Sequence, residues 1–226
     1  MDSARVVDAA HKSEGRTMKL INMRLALPAA VLAVLFCAER AECASSSLGA
    51  KIEYCKTCHG LSAQGYYGFY PIPRLAGQQT QYTENQLRAY SEGRRKNRYM
   101  YNVAHALSPG MQAALAKYFS GLKARPLSGA SRSANSEGQR IFEDGDPASN
   151  VPACTACHGV EARGHEEIPR LAGQLPEYIF NKLVNWNQER GQDPHHPDIS
   201  AVMLPTSHNL TKSQIRAVAA YLSHLE

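Results

Sequence analysis

CKTCHG at Cys55–Gly60 and CTACHG at Cys154–Gly159 place two thiols and an imidazole at positions i, i+3 and i+4, twice in one chain. On a helical turn those three side chains share one face. Two thiols so placed can each add to one vinyl group of a single haem, and the imidazole then lies against the iron from the same side. A disulfide or a thioredoxin-like dithiol would use the cysteines but not the histidine that follows them in both copies. One zinc held by all four cysteines would join pairs 99 positions apart (Cys55 to Cys154) and leave both histidines idle. The spacing points to two covalently bound haem c groups. Their thioether anchors are Cys55 and Cys58, then Cys154 and Cys157, and their first axial ligands are His59 and His158.

An iron held on one side has either a ligand or a vacancy on the other. Beyond residue 43 the chain has three methionines, Met100, Met111 and Met203. Met100 and Met203 are each followed at +7 by Leu (Leu107, Leu210), at +14 by Ala (Ala114, Ala217) and at +18 by Tyr (Tyr118, Tyr221). Met111 aligns with Gln214, breaks this register, and is expected in the core at the start of its helix. Met100 and Met203 are therefore the expected sixth ligands. A neutral, soft thioether favours the ferrous state and closes the coordination sphere, which points to electron transfer rather than chemistry on a bound substrate. Core filling is the competing role for a methionine. The competing imidazoles are His105, His195, His196 and His208; His195 and His196 sit in DPHHPD, which has no first-half equivalent.

The elements that must position these groups also come in two sets, so the repeat organises the whole chain. Three helical stretches are predicted in each half: Ser47–Cys55, Thr80–Gly93 and Ser108–Leu122, then Ser136–Gly145, Pro176–Gly191 and Thr211–Leu225. Thr211 with Gln214 forms a capping-box pattern, Pro176 suits a first helical position, and Gly93 and Gly191 suit helix ends. Ile215, Val218, Ala219 and Leu222 fall on one face. No segment alternates like a strand, so the fold is expected to be all-α. KARPLSGASRSAN (Lys123–Asn135) has linker composition. The domains are read as 44–124 and 136–226, joined by 125–135. Residues 1–43 have the layout of a secretory signal peptide, with the apolar run Leu25–Ala38 and a true start at Met18. This predicts a periplasmic protein.

Charge divides along the chain. Residues 44–130 carry eleven basic and three acidic side chains, residues 131–226 eight and twelve. Such a field orients a charged protein partner. With no groove-reading motif in the chain, nucleic acid is excluded as a partner. GRRKNR (Gly93–Arg98) precedes Met100, and Arg94, Arg95 and Lys96 are expected to form a docking patch for an acidic partner.

The heptad IPRLAGQ follows each cysteine motif, at Ile72–Gln78 and Ile168–Gln174. C-x-x-C-H, a proline-containing segment and a methionine ahead of a final helix together resemble class I cytochrome c. Two such units behind a signal peptide resemble the dihaem cytochrome c4 family. The resemblance implies that the carbonyls of Pro73 and Pro169 accept hydrogen bonds from His59 and His158, fixing the imidazoles. It implies that Leu75 and Leu171 pack on the porphyrin and that Gly77 and Gly173 permit close backbone approach. Arg74 and Arg170 are expected to meet a haem propionate or the other domain. The family's role implies an electron carrier without catalytic residues, not an enzyme, associated peripherally with the membrane at most. It would take electrons from a quinol-oxidising complex and pass them to a terminal oxidase or reductase. The same two-domain plan serves as the dihaem subunit of a dehydrogenase such as flavocytochrome c sulfide dehydrogenase. A dihaem peroxidase would need an open haem and a longer chain. The halves differ in spacing, with 19 residues from Cys55 to Arg74 against 16 from Cys154 to Arg170. The surplus falls in YYGFYP (Tyr66–Pro71), whose aromatics are expected at a haem edge or between domains.

Overall fold

The computed structural model describes residues 47–123, 136–190 and 199–226. The expected signal peptide (1–43) and linker (125–135), with Gly191, His195 and His196, lie outside the described residues. Ten α-helices are described: α1 (47–59), α2 (Thr80–Ser91), α3 (Arg98–His105), α4 (Pro109–Ser120), α5 (Ser136–Asp144), α6 (Thr155–His158), α7 (Pro176–Val184), α8 (Trp186–Glu189), α9 (Met203–His208) and α10 (Lys212–Ser223). Among the described residues, β-structure is confined to isolated bridges, so the fold is all-α. None of these helices is long and apolar enough to cross a membrane.

Each half has its own core. In α1, Leu48, Ile52 and Cys55 recur at i, i+4 and i+7, the spacing that lays an apolar stripe along a helix. They pack with Leu115 and Phe119 of α4, and Met111 packs against the same cluster. In the second half Ile141 and Phe142 of α5 meet Ile179 of α7 and Val218, Ala219 and Leu222 of α10. Burying each large apolar side chain contributes about 1.5–3 kcal/mol. The capping box at Thr211 and Gln214 is formed, Pro176 opens α7, and Gly93 lies just beyond α2 in the left-handed region at φ +75°.

The structure departs from the predicted elements in three places. α1, expected to end at Cys55, runs unbroken through the cysteine motif to residue 59, whereas α5 ends at Asp144, close to its expected bound, and a short loop closed by an Asp146–Val151 bridge precedes α6. The stretch 176–191, expected as one helix, breaks at Asn185 into α7 and α8. Each candidate methionine also gains a short helix, α3 or α9, that the periodicity of so few residues could not announce.

The two halves pack against each other. Arg95 and Arg190 form an antiparallel bridge between them. Arg95 lies over the Tyr90 ring and Arg190 over the Trp186 ring, each 4.7 Å from the centroid. Gln86 Oε1 accepts from Nη1 of both, at 2.8 and 2.7 Å, and Arg95 Nη2 donates to the Tyr178 hydroxyl at 2.7 Å. This corrects the docking patch expected at GRRKNR. Arg95 is only 4% exposed, and Arg94 is ion-paired with Glu92. Lys96 alone of the three is exposed. A guanidinium tolerates burial where planar acceptors and an aromatic face replace water; each ring lies nearby in sequence, but Tyr178 for Arg95 and Gln86 for Arg190 come from the other half.

Gly138 marks the closest approach of α5 and α10: a Cβ there would lie 2.2 Å from the Ala217 carbonyl oxygen. Gly49, its counterpart in α1, has nothing within 4 Å. Gly138→Ala is expected to destabilise the protein by about 1–3 kcal/mol in denaturant unfolding. Gly49→Ala should be neutral or stabilising by up to ~1 kcal/mol.

Candidate functional site

Both cysteine motifs end on a helical turn that stops at a glycine in the left-handed region, Gly60 at φ +87° and Gly159 at φ +75°. None of the four cysteines is paired in a disulfide. Cys58 and Cys157 are exposed, while Cys55 and Cys154 are half-buried against their respective cores. Burial pushes the Cys55 thiol up and the Cys154 thiol to about 11. A redox dithiol needs the opposite shift. Among the described residues no three His, Cys, Asp or Glu side chains converge as a metal cluster.

His59 and His158 are buried, and burial pulls both imidazoles below the ordinary histidine range against the opposing effect of a proline carbonyl. His59 Nδ1 lies 2.9 Å from Pro73 O and His158 Nδ1 3.0 Å from Pro169 O. A carbonyl can only accept, so Nδ1 carries the proton and Nε2 keeps its lone pair. Each ring is thus a neutral imidazole in one tautomer.

The loop behind each histidine sets this geometry. Gly65 N–H donates to His59 O and Gly164 N–H to His158 O, both at 2.9 Å. Ala63 and Ala162 are fully buried in the left-handed region, at φ +56° and +52°. The Ala63 carbonyl accepts from the N–H groups of Leu75 and Ala76, and the Ala162 carbonyl from those of Leu171 and Ala172. The loop therefore holds the heptad just beyond its proline carbonyl, and the Tyr66–Ile72 and His165–Ile168 bridges hold it just before. The sequence signal was present, since CHGLSAQG and CHGVEARG share Ala and Gly beyond the histidine. A reading confined to C-x-x-C-H misses these four positions.

Within the heptad, Gly77 and Gly173 lie at φ +72° and +67° and donate to Phe119 O and Leu222 O, each at 2.9 Å. Leu75 and Leu171 rest against the two cores. Gln174 Oε1 accepts from Arg74 N at 2.9 Å and its Nε2 donates to Arg74 O at 3.1 Å. Gln78 repeats this toward Arg170, with 2.7 and 3.0 Å. The arginine backbone thus meets the opposite half. The Arg74 guanidinium donates through Nε to Gln64 Oε1 at 2.7 Å, and burial lowers it to about 10.

Met100 sits in the first turn of α3, where Asn97 Oδ1 caps the helix by accepting from Met100 N at 3.0 Å. Met203 is the first residue of α9. Both are half-buried and outside the two apolar clusters, in contrast to Met111. His105 stacks on Tyr101 with centroids 4.2 Å apart, and His208 is exposed. The aromatics of YYGFYP are exposed on a loop closed by a Tyr66–Ile72 bridge; Phe69, 92% exposed, lies neither between the halves nor in a core.

Two further features accompany these residues. A cavity of about 170 Å³ is lined by Leu183, Trp186, Leu204 and Ile215 together with the polar Asn187, Ser207, His208 and Lys212. The Nε atoms of Arg95 and Arg190 and Nε1 of Trp186 are buried without a hydrogen-bond partner, and neither arginine has an ion pair among the described residues. Buried donors of this kind call for an acceptor. A haem, with vinyl groups for the thiols, an iron for the imidazoles and propionates for buried donors, fits the chemistry of these residues.

Comparison with known proteins gives concordant results. The family described as "Cytochrome c" matches residues 48–123 and again 136–226. Cytochrome c-552 of Acidithiobacillus ferridurans is 37% identical over 85% of this chain and 85% of its own. A thiosulfate dehydrogenase electron acceptor of Thiomonas intermedia is 36% identical over 91% of this chain and 93% of its own. The solved cytochrome c4 of Acidithiobacillus ferrooxidans is 38% identical, covers 76% of this chain and 98% of its own, and superposes with a TM-score of 0.65.

Gly164 is where the loop can be tested. A Cβ there would lie 2.5 Å from Pro169 O, the acceptor of His158. Gly164→Ala is expected to displace that carbonyl and destabilise the second half by about 1–3 kcal/mol. Denaturant unfolding should show the loss, and the Nδ1–H resonance of His158 should shift while that of His59 stays.

Proposed function

The chain belongs to the cytochrome c family, in its dihaem cytochrome c4 branch, and carries two covalently bound haem c groups; from that premise we propose that it is a periplasmic electron carrier with two six-coordinate sites. Each haem supplies a one-electron Fe(III)/Fe(II) couple when bound. Cys55 and Cys58 anchor one ring and Cys154 and Cys157 the other. His59 and His158 present Nε2 to the iron, each held in register by Nδ1–H donation to Pro73 or Pro169. Met100 and Met203 close the opposite side. The buried guanidiniums of Arg95 and Arg190, with Trp186 Nε1, offer donors to propionates. The observation that carries the reading is the pair of buried neutral imidazoles, each one residue beyond a C-x-x-C and fixed by a carbonyl.

In this role the protein shuttles electrons between a quinol-oxidising complex and a terminal oxidase or reductase. A second reading has a specific observation behind it: the relative in Thiomonas intermedia is named as the electron acceptor of a thiosulfate dehydrogenase. Acceptance of electrons from a dehydrogenase of sulfur compounds fits the same two sites, with the dehydrogenase in place of the quinol complex as donor. Mixing the oxidised protein with each donor system separates the two. Rapid reduction by thiosulfate with its dehydrogenase supports the second, and reduction only by the quinol-oxidising complex supports the first.

A redox titration of the purified protein should show two waves, two haems per chain and a Met–iron charge-transfer band, with no cyanide or azide binding at either centre. Met100→Ala should abolish half of that band, lower one potential and open one centre to cyanide. Ready binding of cyanide by the unaltered protein would refute the carrier assignment.

A further inference from the structure

The peptide unit joining Pro73 to Arg74 is bonded at both ends. Its carbonyl oxygen accepts from His59 Nδ1 at 2.9 Å, and its N–H donates to Oε1 of Gln174, from the other half, at 2.9 Å. The unit joining Pro169 to Arg170 is bonded in the same way, to His158 at 3.0 Å and to Gln78 Oε1 at 2.7 Å. The amide orientations are fixed by their partners. Each Nε2 faces an arginine carbonyl, and each Oε1 also accepts from the next residue, Leu175 N or Gln79 N. Gln78 and Gln174 are buried, so water does not compete for these bonds.

A peptide unit is conjugated, so charge drawn from its N–H end is felt at its oxygen. Hydrogen bonds in series reinforce one another by roughly 10–30% each. An acceptor on the Arg74 N–H therefore makes Pro73 O a stronger acceptor for His59. A stronger acceptor on Nδ1–H raises the basicity of Nε2. That favours ferric over ferrous iron and lowers the potential of the haem so ligated.

We infer that Gln174 and Gln78 are positioning residues that tune the haem of the opposite half: Gln174 holds down the potential of the N-terminal haem through the Pro73–Arg74 peptide, and Gln78 that of the C-terminal haem through Pro169–Arg170. This rests on the assignment of His59 and His158 as axial ligands. The duplicated IPRLAGQ thus has two functional ends. Its proline orients the iron ligand of its own half, and its glutamine acts on the other.

The test is a two-wave redox titration of the full haem-loaded chain. The waves are assigned with Met100→His, which replaces a thioether by an imidazole and lowers the N-terminal wave. Gln174→Leu is expected to raise the N-terminal wave and leave the C-terminal wave in place, with the His59 Nδ1–H resonance moving to higher field. Gln78→Leu should do the converse. The proposal is overturned if a substitution moves the haem of its own half, if neither wave moves, or if both fall together. A joint fall is the signature of an opened interface admitting water. Gln174→Glu keeps an acceptor and loses only the donor, so it serves should leucine disrupt the fold. It should leave the N-terminal wave at or below its original potential, and a rise overturns the proposal. If the unaltered protein lacks a low-spin histidine-ligated spectrum, the ligand assignment fails instead.

Discussion

The structure depends on one hydrogen bond made twice, from a histidine Nδ1–H to a proline carbonyl. An imidazole can serve a metal only when neutral and only through the nitrogen that lacks the proton. Burial takes care of the first condition at His59 and His158, and the carbonyls of Pro73 and Pro169 take care of the second. The surrounding loop serves to place that carbonyl. The left-handed alanines, the N–H groups of the heptad that they receive, and the glycine that gives Pro169 O its space are all means to this end.

Duplication turns the same segment into an interface. A copied backbone presents the same unpaired groups twice, and the two copies satisfy each other reciprocally with one side chain apiece. Gln78 and Gln174 do this: each sits four positions after the arginine that its counterpart grips. The arginine pair is less symmetric: Tyr90 lies five positions before Arg95 and Trp186 four before Arg190, and Gln86 Oε1 serves both guanidiniums. Two like charges approach there because aromatic faces, amide oxygen and phenol replace water.

The halves are not identical where they meet solvent. The first has the aromatic loop Tyr66–Tyr70 where the second has a tight turn closed by His165 and Ile168. The second has a loop between α5 and its motif where the first has continuous helix. Neither difference disturbs the histidine–carbonyl pair: the aromatic loop enters between Ala63 and the heptad that its carbonyl holds, and the α5–α6 loop lies ahead of Cys154. The fold thus keeps the histidine–carbonyl geometry in both halves and varies the rim.

Much was legible in the residues alone. Thiols and imidazole at i, i+3 and i+4 state their chemistry because a helical turn is a local structure. The paired prolines, the helical faces, the capping box at Thr211 and the core placement of Met111 follow from short-range spacing or from the repeat register. Three things needed the tertiary structure. Arg95 reads as part of a solvated basic run, yet its partners Gln86 and Tyr178 lie on two different helices, one in each half. The final glutamine of each heptad reads as one polar residue before a helix, yet its acceptor and donor face a backbone nearly a hundred positions away. Ala63 and Ala162 read as small, unremarkable residues until their φ values and carbonyl partners are seen. Local spacing encodes which groups can bind a metal, because covalent geometry fixes it. Which groups are desolvated, and by whom, is decided only when distant segments meet.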